Sequence, residues 1–239
     1  MFGIKRAHER GVKTLDWLDA RYSFSHADYY NPRSMGFGAL RALNEYRVQP
    51  GGAFDTVDLS DLEIVTYVTE GALAHGDSVG PAVTLTRGDA HALSAGQGVR
   101  FTHRNASSTD EARFAHLWIL PDKRGGEPRQ DTRSFSDGDL RDRLCLIASP
   151  TGDAGSLTVN RKIWLHASRL SRQARIVHPL GAEREAWLQV LDGGVEINGV
   201  PLDAGDGAAI QDEETLELTE RGTGASNTEI LLVEMARDG

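Results

Sequence analysis

The chain has 239 residues, 39% of them hydrophobic and 26% charged, enough for one large domain or two small ones with separate cores. Acidic side chains outnumber basic ones, 35 to 26, for a formal net charge of -9, which argues against a dedicated nucleic-acid binder, a class that usually shows a basic stripe. Cys145 is the single cysteine, so an intramolecular disulfide and a cysteine-based zinc cluster are excluded.

Met1–His8 carries no apolar signal-peptide core, and no run reaches the roughly 18 apolar residues of a membrane helix. A cytoplasmic protein without membrane association is expected. In the first half, short apolar stretches separated by glycine-containing turns predict strands over 40–48, 63–70, 72–75, 83–86, 98–103 and 113–120. Within the last, alternation puts Phe114, His116 and Trp118 on one face and Ala115, Leu117 and Ile119 on the other. Bulk on both faces predicts a strand covered on both sides. The polar stretch over about 121–143 reads as a linker, with a short helical turn near Ser136–Arg141.

The second half repeats this grammar, with strands expected over 156–165, 175–178, 186–191, 195–197, 207–210, 216–219 and 229–235. Asn198-Gly199 is a two-residue hairpin signal, because both residues tolerate positive φ. The segments ending in Glu70-Gly71 and Asp192-Gly193 are alike, and each is followed by a Gly-Asp pair, Gly88-Asp89 and Gly205-Asp206. A repeat of domain size means duplication, not a solenoid. The predicted fold is all-β, with an N-terminal domain over 1–130 and a C-terminal domain over 131–239.

One frame stands out in the first half. Gly51 precedes Val57-Asp58-Leu59, and Glu63 opens the strand that ends at Gly71. A second stretch runs from Gly88-Asp89 through Gly96 and Gly98 to Phe101-Thr102-His103 and Asn105. With Tyr22-Ser23-Phe24-Ser25, Tyr29-Tyr30-Asn31-Pro32, Gly36–Arg41 and Leu202–Ala208, this frame resembles the pirin family over nearly the whole chain. Pirins are two-cupin proteins that include quercetin 2,3-dioxygenases. The resemblance implies a bicupin of two β-barrels, each a jelly-roll-like double-stranded β-helix.

It also implies where a metal should sit. Metal-binding pirins hold iron with three histidines and one glutamate, and those slots fall here on Val57, Leu59, Phe101 and His103. Val57, Leu59 and Phe101 offer no donor atom, so the expected cofactor is none. Iron or another divalent metal held weakly by His103 and Glu63 is the alternative. The apolar slots read either as packed core or as a pocket for a flat ligand walled by Phe101, with Glu63, Arg100 and His103 beside it. Glu63 reads equally as a structural partner of the backbone or of Arg100.

The other histidines read as structural: His75 and His91 near hairpin ends, His116 beside Trp118, and His26 in the N-terminal segment. His166 and His178 are too far apart in sequence for a His-x-His pair, so the second barrel shows no metal motif. Trp17, Trp118, Trp164 and Trp187 read as core aromatics, and Cys145 as buried and inert. The resulting expectation is a monomeric, non-catalytic or regulatory pirin-like protein that binds a small apolar ligand or a protein partner. The alternative is a quercetin 2,3-dioxygenase-like oxidoreductase with an atypical site around His103 and Glu63.

Overall fold

The computed structural model describes residues 1–222 and 228–237. In the first half the strands are β1 (Phe2–Lys5), β2 (Gly11–Leu15), β3 (Leu18–Tyr22), β4 (Leu40–Val48), β5 (Val57–Leu59) and β6 (Glu63–Glu70). They continue with β7 (Ala72–Asp77), β8 (Val83–Thr86), β9 (Asp89–Ser94), β10 (Val99–Asn105), β11 (Ala112–Ile119) and β12 (Arg129–Ser134). A short helix, α1 (Asp137–Leu140), leads into the second half. There the strands are β13 (Cys145–Ser149), β14 (Leu157–Thr158), β15 (Ile163–Leu170), β16 (Arg175–Pro179) and β17 (Arg184–Asp192). The last are β18 (Gly194–Ile197), β19 (Val200–Asp203), β20 (Gly207–Ile210), β21 (Thr215–Glu220) and β22 (Thr228–Ala236).

The duplication is visible in the strand order. The first lobe has a seven-stranded sheet, β12-β9-β6-β11-β4-β3-β2, facing a four-stranded sheet, β5-β10-β7-β8. The second has β1-β20-β17-β22-β15-β13-β14 facing β16-β21-β18-β19. Strand for strand, β9-β6-β11-β4 corresponds to β20-β17-β22-β15, and β5-β10-β7-β8 to β16-β21-β18-β19. Gly88 and Gly205 precede the equivalent strands β9 and β20 with φ of 87° and 85°, a region costly for any residue with a Cβ. The N-terminal strand β1 pairs with β20 of the second lobe, while β12 occupies the matching edge of the first, beside β9.

The short helix forms where it was expected, because Ser136 caps it: its hydroxyl accepts from the Asp139 amide. Asn198 and Gly199 take φ of 46° and 79°, the two positive values a type I′ hairpin needs. The strand expected over 156–165 is instead two, β14 and β15, separated by a bend over 160–162. The segment expected as a linker carries both β12 and α1.

The alternation along β11 sorts two cores. Ala115, Leu117 and Ile119 join Leu43, Val65 and Tyr67 on the outer face of the large sheet. There they pack against Leu165, Ala167, Trp187, Leu231 and Val233 of the second lobe. Phe114, His116 and Trp118 face inward. On the equivalent strands β18 and β21 the interior of the second lobe is aliphatic, with Val195, Ile197, Leu216 and Leu218. The interior of the first is not, and the difference defines the site. No helix among the described residues is long and apolar enough to cross a membrane.

Candidate functional site

Strand β10 organises the site. Its burial alternates, placing Val99, Phe101, His103 and Asn105 inward and Arg100 and Arg104 outward. On one side β10 pairs with β5, which sets Val57 opposite Phe101 and Leu59 opposite Val99. These side chains pack with Ile64, Leu93 and Trp118 as an apolar cluster. On its other side β10 pairs with β7, and His103 stands opposite His75.

From His103 the chemistry turns polar. His103 Nε2 lies 3.0 Å from His75 Nδ1, and His75 Nε2 lies 2.7 Å from Asp77 Oδ2. The other oxygen, Asp77 Oδ1, accepts the amides of Val79 at 2.7 Å and Gly80 at 3.1 Å. These bonds hold the Asp77 carboxyl below its ordinary range, against the opposing effect of its burial. Asp77 is therefore ionised near neutral pH and accepts from His75 Nε2–H, which leaves His75 Nδ1 to accept from His103 Nε2–H.

His91 on β9 packs against this chain, its ring tilted 44° to that of His75 at 4.2 Å. Its Nδ1 bonds Thr132 Oγ1 on β12 at 2.9 Å, while its buried Nε2 has no partner. One donor atom from each of His75, Asp77 and His91 lies within 4.8 Å of the others. His116 closes the cluster, with Nδ1 on Thr66 Oγ1 at 3.0 Å and its ring edge-on to His103 at 5.2 Å. Burial pushes His91 and His116 down to about 3 and lowers His75 and His103 as well. All four imidazoles are neutral at pH 7, the form that ligates metal.

The cluster borders a cavity of about 330 Å³ lined by His26, Phe54, Val57, Phe101, His103 and Trp118, together with Tyr46, Phe114 and His116. Phe101 and His103 share this cavity; Glu63 and Arg100 do not. Glu63 lines a separate polar cleft with Ser94, Arg129 and Asn160. It accepts the Ser94 hydroxyl at 2.6 Å, and burial raises its carboxyl despite that bond. Arg100 projects outward to Asp58 at 3.0 Å.

The fold groups the remaining histidines in both lobes. His75 and His91 are distant in sequence but adjacent in space, because β7 and β9 carry them into one interior. In the second lobe His178 and His166 both meet Glu234, at 2.6 and 3.3 Å. Arg184 takes the other oxygen of that carboxylate at 2.8 Å and lies 3.6 Å over the Trp164 ring. Cys145 is half-buried, and burial pushes its thiol up.

Residues 4–119 match the Pirin family, and residues 146–235 match the quercetinase C-terminal cupin domain. The chain belongs to the pirin family. Among its pirin-like relatives is a quercetin 2,3-dioxygenase of Escherichia coli K12, 37% identical over 235 residues that cover 98% of this chain and 99% of the relative. A pirin-like protein of Caulobacter vibrioides is 34% identical, over 92% of this chain and 93% of its own. The crystal structure of YhhW from Escherichia coli superimposes with a TM-score of 0.92 at 36% identity, covering 100% of this chain and 99% of YhhW. YhhW has also been solved in complex with nickel(II), with a TM-score of 0.91 at 36% identity and full coverage of both chains.

These relationships correct the expectation of a pirin without a metal cofactor. A nickel-bound relative spans the whole chain, and this pirin brings His75, Asp77 and His91 together as a group able to hold an ion. Counting donors only at positions 57, 59, 101 and 103 missed that group, because its members lie outside the family frame. The signal available was the inward parity of His75 with Asp77, two residues apart on one strand.

Proposed function

We propose that the protein is a quercetin 2,3-dioxygenase-like oxidoreductase that takes a flat, largely apolar polyphenol into the first lobe. The observation that carries this reading is the cavity of about 330 Å³, within the size range of small-molecule sites, with neutral histidines in its wall and a His–Asp group directly behind them. The two dioxygenase-named relatives from Escherichia coli, both matched over 98% of this chain, support the same reaction class.

The chain's own residues divide the work. Phe54, Phe101 and Trp118 form aromatic walls that orient a planar ring system by stacking and edge contacts. His103 and His116 present neutral imidazoles, suited to exchange hydrogen bonds with phenolic hydroxyls. The apolar lining at Val57 and Phe114 excludes water, which strengthens those polar contacts. His103 also joins the cavity wall to His75 through a 3.0 Å hydrogen bond, which fixes the His103 ring against the group behind it. A divalent metal held by His75, Asp77 and His91 would supply chemistry with dioxygen, as centres of two histidines and one carboxylate do when they keep open positions.

The test is aerobic incubation of protein reloaded separately with iron, nickel, copper, cobalt or manganese against quercetin, following flavonol absorbance and oxygen uptake. Metal-dependent loss of the flavonol with stoichiometric oxygen consumption is expected. Absence of turnover with every one of these metals would overturn the reading.

A further inference from the structure

We infer that the metal centre of this chain lies on the β7–β9 side of strand β10, held by His75 Nε2, Asp77 Oδ2 and His91 Nε2, and not on the β5 side where the pirin resemblance places it. This deepens the proposed function by naming the ligands, and rests on that reading only for the metal's catalytic use.

On the β5 side, Val57, Leu59 and Phe101 close an apolar cluster with Ile64, Leu93 and Val99. An ion there would have His103 as its one side-chain donor among the four slots. Across β10 the register brings His75 opposite His103, with Asp77 two residues on. Their facing atoms, His75 Nε2 and Asp77 Oδ2, are 2.7 Å apart, close to the edge of about 3 Å that two metal bonds of about 2.1 Å make at right angles.

The surroundings of these donors are already those of ligands. A metal-bound imidazole typically donates its second N–H to a fixed acceptor, which orients the ring. His91 has Thr132 Oγ1 at 2.9 Å from Nδ1, and its Nε2 is buried without a partner. His75 has His103 Nε2 at 3.0 Å from Nδ1; with a metal on Nε2, His75 carries its proton on Nδ1 and donates it to His103, the reverse of the metal-free arrangement. Asp77 is anchored through Oδ1 by two backbone amides, which frees Oδ2 to face the histidines. Each donor thus has one atom tied back and one directed into the group. His103 becomes a residue that orients His75 and also forms part of the cavity wall. The second lobe offers no counterpart at the equivalent strands, since Val195 and Ile197 of β18 and Ala208 and Ile210 of β20 are aliphatic core.

Nickel(II) titration of chelator-stripped protein, with metal counted after gel filtration, tests this without any assay of turnover. One nickel per chain is expected for the unaltered protein. Asp77→Asn and His91→Ala should each weaken binding by at least about 100-fold, and Thr132→Val by about 10–100-fold. Val57→Ala and Leu59→Ala should leave it unchanged. Should His91→Ala fail to fold, His91→Asn keeps an amide near the Thr132 hydroxyl while removing Nε2, and the same loss is expected. Nickel binding indifferent to Asp77 and His91, or no stoichiometric binding by the folded chain, overturns the inference. Binding as described with no flavonol turnover overturns the proposed function alone. Turnover in a protein whose nickel ignores Asp77 and His91 overturns the inference alone.

Discussion

At the scale of residues, the first lobe keeps four interior histidines uncharged, on β7, β9, β10 and β11, at strands whose second-lobe equivalents contribute aliphatic side chains to the core. Burial carries a consequence for acid stability. An unfolded histidine takes up a proton near pH 6.5, whereas His91 and His116 in the fold do so only near 3. Between those values the unfolded state binds more protons, so stability is fully present above 6.5 and is lost as pH falls toward 3. Each such residue contributes a slope of up to about 1.4 kcal/mol per pH unit. Urea midpoints measured on metal-free protein from pH 7.5 to 5 should fall steadily, and His116→Gln should flatten that fall. A midpoint independent of pH in this range contradicts the account. A second residue-scale prediction concerns Phe101. Truncation to Ala should cost about 3–5 kcal/mol of stability if the wall cannot collapse, and should raise KM for a planar substrate more than it lowers kcat. Steady-state kinetics beside urea unfolding separates the two effects.

At the scale of strands, much was legible, although β1, β5, β9 and β13 were also unexpected, and several of the failures share a cause. Strands 40–48, 63–70, 83–86 and 207–210 match the sequence expectation residue for residue, because alternation or short apolar runs between turn residues announce them. The hairpin at Asn198-Gly199 and the helical turn at Ser136 were equally readable, since single residues with known backbone preferences decide them. Strands β2, β3 and β12 were not: they carry mixed polar side chains, and the pairing of β2 with β3, of β3 with β4 and of β12 with β9 makes them strands. The metal group was missed for a related reason. His75 and His91 are 16 positions apart, and only the pairing of β9 with β6 and of β7 with β10 turns both inward. Glu63, by contrast, stands at the head of β6 and opens into another cleft, which separates it from His103.

The duplicated turns give a prediction at this scale. A Cβ at Gly88 would lie 2.5 Å from the Phe135 carbonyl oxygen, and the φ of 87° is itself strained for any other residue. Gly88→Ala should lower stability by about 1–3 kcal/mol and loosen β12 from β9. Because Thr132 orients His91 from β12, nickel affinity should fall with it. Loss of stability with unchanged nickel affinity would show that β12 plays no part in the site. A complementary change restores the family pattern on the other side of β10. The variant Val57→His, Leu59→His, Phe101→His and His103→Glu should raise nickel capacity from one ion per chain to two. A folded variant that still binds one ion, lost on adding Asp77→Asn, shows that these positions are not the family's ligand slots.

At the scale of the whole molecule, the two lobes are joined through the outer faces of their large sheets. Leu117, Val65 and Tyr67 from one meet Leu165, Trp187 and Leu231 from the other in a single core. Tyr67 also donates to Glu229 at 2.7 Å across the junction, and Arg169 binds the same carboxylate at 3.1 Å. The N-terminal strand β1 belongs to the second lobe's sheet, so the chain ties the lobes at both ends of the first. Leu231→Ala should therefore cost about 2–5 kcal/mol and lower the stability of both lobes together, in one calorimetric transition. Two separated transitions would show that the lobes unfold independently. The first lobe carries histidines on β7, β9 and β10 where the equivalent strands of the second, β18, β20 and β21, carry aliphatic core side chains.

The most direct test of that arrangement is an anomalous difference map at the nickel absorption edge, from crystals of the unaltered protein grown with nickel(II). A single peak among His75, Asp77 and His91, about 2.1 Å from His75 Nε2 and His91 Nε2, is the predicted result. A peak between β5 and β10, beside Val57 and Leu59, would contradict it.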